Sequence, residues 1–407
     1  MPAIHYERLD PAHLDALLRV VSLSYGTRPE SARDWLVDQA TLPEVRAAGH
    51  VGGPFDPSRS PRTPEASLVR IPMGLYLGGR VVRNLGIAGV AVTPEARGGG
   101  LARAMMVEAL REARGEGFAV STLYPSTLSL YRKVGFEPAG HAFEYSVPLQ
   151  RDRPLPRRRT LSASALPPEI TPELVACHRR FAALSDGALD RGHYIWSRVL
   201  KWRDRRYEGF GLRSPAGELE AYAFVALDYP AGSRFISDLE VRDLAWTTPR
   251  GAGELLAFLH DYAPIARTMR LSGGPSHPLL SLLPQQAYSV ERYEYWLLRI
   301  LDVISALESR GYRQGLGLRF SIALRDDVLP EVAGTYTVAI EGGSARVSPG
   351  EGAPLVSLDA RALAALYTGF QTAESAASLG LVEGPPEALS ALSAAFSGPA
   401  PSMSDHF

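Results

Sequence analysis

The chain has 407 residues, 45% hydrophobic and 21% charged, with a formal net charge of −1. That is the make-up of a soluble globular protein with room for two to four domains, and so small a net charge implies no nucleic-acid or polyanion partner. A single cysteine, Cys177, excludes an intrachain disulfide and a cysteine-built zinc site, while a start without a basic-then-apolar leader and the lack of a membrane-length apolar run point to a cytoplasmic protein with no membrane partner.

Residues 3–8 (AIHYER) read as a first strand. Apolar residues at Leu14, Leu17, Leu18, Val21 and Leu23 predict a helix over 11–25. A second helix is expected over 28–39, carrying Trp35. Residues 50–64 are rich in Gly, Pro, Ser and Arg and read as a loop. Strands follow over 67–77 and 80–92, joined by the turn signal Gly78-Gly79. The second strand runs through Thr93-Pro94 and Arg97-Gly98-Gly99-Gly100 into an amphipathic helix over 101–114, closed by Gly115 and Gly117. Glycines let the backbone approach a bound group closely. The helix start offers unpaired N–H groups and the positive end of its dipole. Together they suit a pyrophosphate; on the loop alone, a flexible strand-to-helix turn is an equal alternative. No G-x-x-x-x-G-K-[ST] or helix-opening G-x-G-x-x-G is present. A strand over 118–123, a short helix ending Leu130-Tyr131-Arg132-Lys133-Val134-Gly135-Phe136, and a strand over 141–149 complete this segment.

The run RDRPLPRRR at 151–159 reads as an exposed, proline-broken linker. Beyond it, helices are expected over 172–185 and 193–201, then a hairpin over 209–229 turning at Pro215-Ala216-Gly217. A strand over 239–246, a turn at Thr248-Pro249-Arg250-Gly251-Ala252-Gly253 and a helix over 254–262 repeat the order of 90–123, without the arginine–glycine loop. This reads as a second copy that binds no coenzyme, coincidence being the alternative. A third segment opens with RYEYWLLRILDV at 292–303. It continues with a helix over 304–310, strands over 317–325, 334–341 and 344–347 with the turn Gly342-Gly343, and helices over 359–369 and 385–396.

The pattern V-x-V-x-P at 90–94, R-x-x-G-x-A at 97–102 and L-Y-x-x-x-G-F at 130–136 resembles the coenzyme A core of the GNAT N-acetyltransferases. With the degenerate second copy, W-L-L-R-I-L-D-V-x-x-A-L-E-x-R-G-Y at 296–312 and the ending D-H-F, the whole chain resembles the Eis ("enhanced intracellular survival") family. The resemblance implies an α+β fold: tandem GNAT folds of mixed, mostly antiparallel sheets with helices, then a C-terminal sterol-carrier-protein-like α/β domain. The implied divisions are 1–150 (catalytic GNAT domain), 151–285 (degenerate GNAT-like domain) and 286–407 (sterol-carrier-like domain). It also implies acetyl-CoA as co-substrate, no metal, a polyamine-like or aminoglycoside-like amine acceptor, and a homo-oligomer, trimer or hexamer.

Site residues carry over position by position. Tyr131 matches the family's general acid; a phenol with a reference pKa of about 10 suits protonation of a thiolate whose acid lies at about 8.5, although its apolar neighbours equally suit a packing role. Phe407 matches the general base through its α-carboxylate, where chain ends otherwise fray. An aromatic anchor in an apolar site would raise that carboxylate above its reference of roughly 3.5 and strengthen it as a base. Val90 and Val92 match backbone contacts to the acetyl and pantetheine portions. Arg97, Gly98, Gly100, Leu101 and Ala102 match the pyrophosphate loop, with Gly98 and Gly99 where relatives often carry arginine. Ser126 and Leu130 match further coenzyme contacts. Trp35 is either a platform for a cationic acceptor or a packing aromatic; Asp405 either attracts a polyamine or is a solvated tail residue. The competing readings are a protein lysine or N-terminal acetyltransferase, and a non-catalytic coenzyme A sensor or lipid carrier.

Overall fold

The computed structural model describes residues 1–36, 44–149, 160–203, 205–229, 237–350, 352 and 354–407. The expected linker at 151–159 and the far end of the helix expected over 28–39 lie outside the described residues.

The first unit is built from β1 (Ile4–Arg8), α1 (Leu14–Tyr25), α2 (Pro29–Leu36), β2 (Val45–His50), β3 (Ala66–Leu77), β4 (Arg80–Val92), α3 (Leu101–Gly115), β5 (Val120–Leu123), α4 (Leu128–Arg132) and β6 (Glu137–Pro148). The second comprises β7 (Ser162–Ala165), α5 (Pro172–Ala182), β8 (Leu189–Asp190), α6 (His193–Leu200), the short pair β9 (Lys201–Trp202) and β10 (Arg205–Arg206), β11 (Glu208–Arg213), β12 (Leu219–Asp228), β13 (Ser237–Trp246), α7 (Pro249–His260) and β14 (Ala266–Gly273). The remainder is β15 (Ser289–Ile300), α8 (Val303–Ser309), β16 (Leu318–Arg325), β17 (Gly334–Glu341), β18 (Ser344–Pro349), β19 (Leu355–Asp359), α9 (Ala360–Tyr367), α10 (Ala373–Ser378), β20 (Val382–Glu383) and α11 (Pro386–Ala395). This is the expected α+β architecture of two GNAT folds and a smaller α/β unit.

One long mixed sheet runs β1-β2-β3-β4-β5-β15-β6-β14-β13-β12-β11-β7, with β8 added to β3. Residues 292–300 of the stretch expected to open the third segment lie in β15, a strand of this sheet. β15 inserts between β5 and β6, setting Leu297 opposite Leu123 and Tyr295 opposite His141. Its buried Trp296 lies where any Cβ on Gly140 would sit. β6 then passes the sheet on to β14 by antiparallel pairing of Val147 with Met269.

β3 is buried along almost its whole length, covered on both faces, which is why it reads as a continuous apolar run rather than an alternation. Helices α1 and α3 pack on it and its neighbours, and the core beneath them continues into the third unit through Trp296, Phe320 and Tyr367. There the sheet β18-β17-β16-β19-β20 is packed by α9 and α11. Arg299 of β15 and Asp326, both essentially buried, pair across that junction.

Candidate active site

β4 and β5 run parallel and pair only at Asn84–Val120, Leu85–Ser121 and Gly86–Thr122. β4 then continues to Val92, while β5 ends at Leu123. The vertex of this split is pinned by Asn84 Nδ2 donating to Thr122 Oγ1 (2.8 Å) and Ser121 Oγ donating to the Leu85 carbonyl (2.7 Å). Past Gly86 the far edge of β4 has no strand partner among the described residues. Two of its carbonyls are taken by side chains: Val90 accepts from the Tyr25 hydroxyl (3.1 Å), and Val92 from Ser24 Oγ (3.0 Å) and Arg97 Nε (3.2 Å). The end of α1 thus closes over β4, and beyond Gly86 the two parallel strands part, forming a wedge between β4 and β5.

The loop after β4 leads straight to a helix start. Gly98 and Gly100 have φ of +84° and +79°, which disfavours any residue with a Cβ. A Cβ on Gly98 would meet nothing within 4 Å, whereas one on Gly99 would lie 3.1 Å from His50 Nε2, so the loop is open at Gly98. Gly100 caps α3 without a side-chain hydrogen bond, and no acidic residue lies in the first turn. Leu101 is buried and anchors the helix, with Ala102 half-buried beside it. The N–H groups at this end are therefore available to an anion.

The corresponding place in the second unit is closed. Thr248 caps α7 by accepting from the Gly251 N–H (2.9 Å) and donates to Glu220 (2.6 Å), while Glu220 also pairs with Arg250. The expected turn at 248–253 is a correction: α7 begins at Pro249, because proline suits the first helical position and Thr248 supplies its cap. There is no glycine loop at the mouth of this helix.

Tyr131 lies on α4, just beyond the end of β5. It is 5% exposed and edge-on to Phe136. Burial raises its pKa above the ordinary phenol value, and a hydrogen bond with the exposed Ser126 opposes part of that rise. Leu130 precedes it, half-buried.

The chain end is ordered by partners from all parts of the molecule. His141 and Ser402 form a bridge: the His141 N–H donates to Pro401 (2.9 Å) and the Met403 N–H to His141 (3.0 Å). Ser402 N–H donates to the Asp186 carbonyl (2.8 Å), and the Tyr124 hydroxyl to the Met403 carbonyl (3.0 Å). His406 stacks on Tyr124 with ring centres 4.3 Å apart. Phe407 meets Tyr124 edge-on at 5.6 Å and packs against the core. A Cβ built on Gly86 would lie 3.0 Å from Phe407 Cε2, so the terminal ring sits at the vertex of the split.

Asp405 is mostly buried and ion-paired, which rules out the solvated-tail alternative. Arg191 holds it at 2.9 Å through both Nε and Nη2, because the buried guanidinium needs anionic partners. Trp35 lies on α2, and its side chain is outside the described residues. Tyr25, Tyr124 and Arg191 went unpredicted. Tyr25 closes a helix on a polar face, Tyr124 follows a strand as an ordinary apolar position, and the partners of Arg191 lie 52 and 214 residues away.

A parallel-strand split, a glycine loop at an open helix N-terminus and a buried tyrosine past the second strand define a GNAT-type acyltransferase. Residues 5–139 and 187–300 each match the acetyltransferase (GNAT) domain, and 303–404 match the sterol carrier protein domain. N-acetyltransferase Eis of Mycobacterium tuberculosis is 28% identical over 330 residues, covering 75% of this chain and 77% of that one. An uncharacterized N-acetyltransferase of Streptomyces avermitilis is 28% identical over 326 residues, 75% and 76% of the two chains. Among solved structures, a GCN5-related N-acetyltransferase from Kribbella flavida superposes with a TM-score of 0.81 at 25% identity, covering 100% of this chain and 98% of that one. Eis1 from Mycobacterium abscessus shares the fold at a TM-score of 0.78 and 22% identity over 100% of both chains. With two GNAT-domain matches the chain is a GNAT acyltransferase, and over three quarters of its length it is similar to the N-acetyltransferase Eis.

Among the described residues no group of three or more His, Cys, Asp or Glu side chains is placed to hold a metal ion. No described helix is long and apolar enough to cross a membrane.

Proposed function

We propose that the chain transfers the acetyl group of acetyl-CoA to a primary amine of a small polyamine-like or aminoglycoside-like acceptor, with the Phe407 carboxylate as base and Tyr131 as acid. The acceptor class follows the family resemblance. The observation that carries the chemistry is the tethered chain end: the Phe407 ring lies beside Gly86, at the point where β4 and β5 part. The coenzyme is assigned to the wedge, with its pyrophosphate on the loop of Arg97, Gly98, Gly100, Leu101 and Ala102, its pantetheine along Val90 and Val92, and further contacts at Ser126 and Leu130. The uncapped start of α3 and the open space at Gly98 fit that assignment.

In this reading the terminal carboxylate takes a proton from the acceptor ammonium or from the attacking amine. The amine nitrogen bonds to the acetyl carbon, the C–S bond breaks, and Tyr131 gives its proton to the departing thiolate. Burial holds the Tyr131 proton through neutral and mildly alkaline pH. The same desolvation makes a buried thiolate more basic, so acid and leaving group shift in the same direction. The Ser126 hydrogen bond steadies the phenolate as it forms.

The test is release of free coenzyme A from acetyl-CoA with aminoglycosides, polyamines and lysine peptides, comparing the native chain with one carrying two extra C-terminal residues. Turnover by the native chain alone is expected. Equal turnover by both would remove the terminal base.

A further inference from the structure

Arg191 directly follows β8, where the second unit adds a strand to β3 of the first through Gly74–Asp190 and Leu75–Leu189. Its side chain is 3% exposed. Asp243 of β13 binds its two terminal nitrogens at 2.7 Å each. Asp243 in turn accepts from the Tyr222 hydroxyl at 2.8 Å, and the guanidinium lies over the Trp196 ring at 4.7 Å. The pair is therefore complete, in charge and in fork geometry, before the chain end arrives. Asp405 is a second carboxylate on the same arginine, contacting Nε and Nη2.

Among the described residues, the backbone hydrogen bonds that hold the tail end with Met403. Beyond it the chain is held by side chains: Asp405 on Arg191, His406 on Tyr124 and within 3.5 Å of Glu294, and Phe407 on Tyr124 and the core. The stacked and edge-on ring contacts each tolerate a range of offsets. The two-point contact of Asp405 with Arg191 fixes the chain in angle as well as position, two residues before the terminal carboxylate.

We propose that Arg191, locked by Asp243, is a positioning residue for acetyl transfer that sets the Phe407 carboxylate through Asp405. The proposal rests on the terminal-base reading above. It gives the second, loop-less GNAT copy a defined part in the reaction: it supplies the clamp for the base.

Asp405→Ala and Asp405→Glu in the full chain test it, since both leave the Arg191–Asp243 pair intact and the fold supported. For Asp405→Ala, kcat is expected to fall roughly tenfold or more, with KM for acetyl-CoA within about twofold. Asp405→Glu is expected to recover part of that loss, which a merely structural role would not produce. Carboxypeptidase A gives a readout independent of turnover: release of the C-terminal phenylalanine, followed by mass spectrometry, is expected to be about tenfold faster from Asp405→Ala. Native kcat in Asp405→Ala, with the two-residue extension inactive, overturns the clamp and leaves the terminal base standing. An extension as active as the native chain overturns both.

Discussion

Gly86→Ala tests the placement of the chain end without touching a charged or hydroxyl group. A Cβ there would lie 2.5 Å from Met73 Cε, 3.0 Å from Phe407 Cε2 and 3.2 Å from Ile71 Cβ. The methionine methyl is the far end of a flexible side chain and swings away at little cost. Ile71 sits opposite Gly86 in the β3–β4 ladder and is held there. The Phe407 ring, held by ring contacts rather than by a strand ladder, is what yields, by about half an ångström to one ångström before contact becomes ordinary. A misplacement of about 1 Å in a reacting group can cost about a hundredfold in rate. The expected loss in kcat is therefore about ten- to a hundredfold, or roughly 1.4–2.7 kcal/mol of barrier. Overpacking costs about 1–3 kcal/mol of stability, and Gly86 is not in the left-handed region, so the variant should fold. Steady-state thiol release with varied acceptor and varied acetyl-CoA separates the parameters. A kcat within twofold of the native value, or a loss confined to KM for acetyl-CoA, would refute a terminal base seated at Gly86.

Tyr131→Phe removes only the hydroxyl, whose partner is Ser126. The expectation is a fall in kcat of about 10²- to 10⁴-fold, with thermal unfolding little changed; because burial raises this phenol, the native enzyme should show no alkaline loss of kcat from Tyr131 below about pH 10. His277 is buried and its pKa is lowered by that burial to about 4, so the unfolded chain binds the proton first. Its contribution is full above about pH 6.5 and is lost as pH falls toward 4, by up to about 3 kcal/mol and about 2 kcal/mol by pH 5. Urea unfolding at pH 7.5 and pH 5 should show that loss in the native chain and a smaller one in His277→Asn; equal losses would place the acid sensitivity elsewhere, as at His178, which burial also lowers to about 4.

Local chemistry made much of the first unit legible. The apolar run of β4, the glycine loop and the amphipathic α3 each depend on neighbours in sequence, and their expected limits agree closely with those observed. β2 was missed for a physical reason. Val45-Arg46-Ala47-Ala48-Gly49 is buried at every position, so it shows no alternation. Its Arg46, a residue that argues for the surface, is satisfied by Glu112 from α3 at 2.7 Å. The turn expected at 248–253 failed because glycines in a first helical turn look like a loop until the threonine cap and the proline before them are weighed together. The α10 segment Ala373–Ser378 is short, and its N-cap Thr372 is the only strong local signal.

The chain end was the least legible part of the candidate site because none of its anchors is local. Tyr124 and Met403 are 279 residues apart, and Arg191 and Asp405 are 214 apart. Fixing the backbone of one residue costs roughly 1–2 kcal/mol, so an unanchored heptapeptide tail would fray. Here the first half is offset by hydrogen bonds to His141 and Asp186, and the last four residues by one ion pair and three aromatic or charged contacts. Those partners lie on β6 and β15, on the flanks of β8 and just past β5, so the tail can be ordered only where these parts of the two GNAT units have come together. On the proposed reading, the general base is then the last catalytic group to be put in place. Any change that separates the two GNAT units should abolish turnover while sparing the glycine loop, which lies wholly within the first.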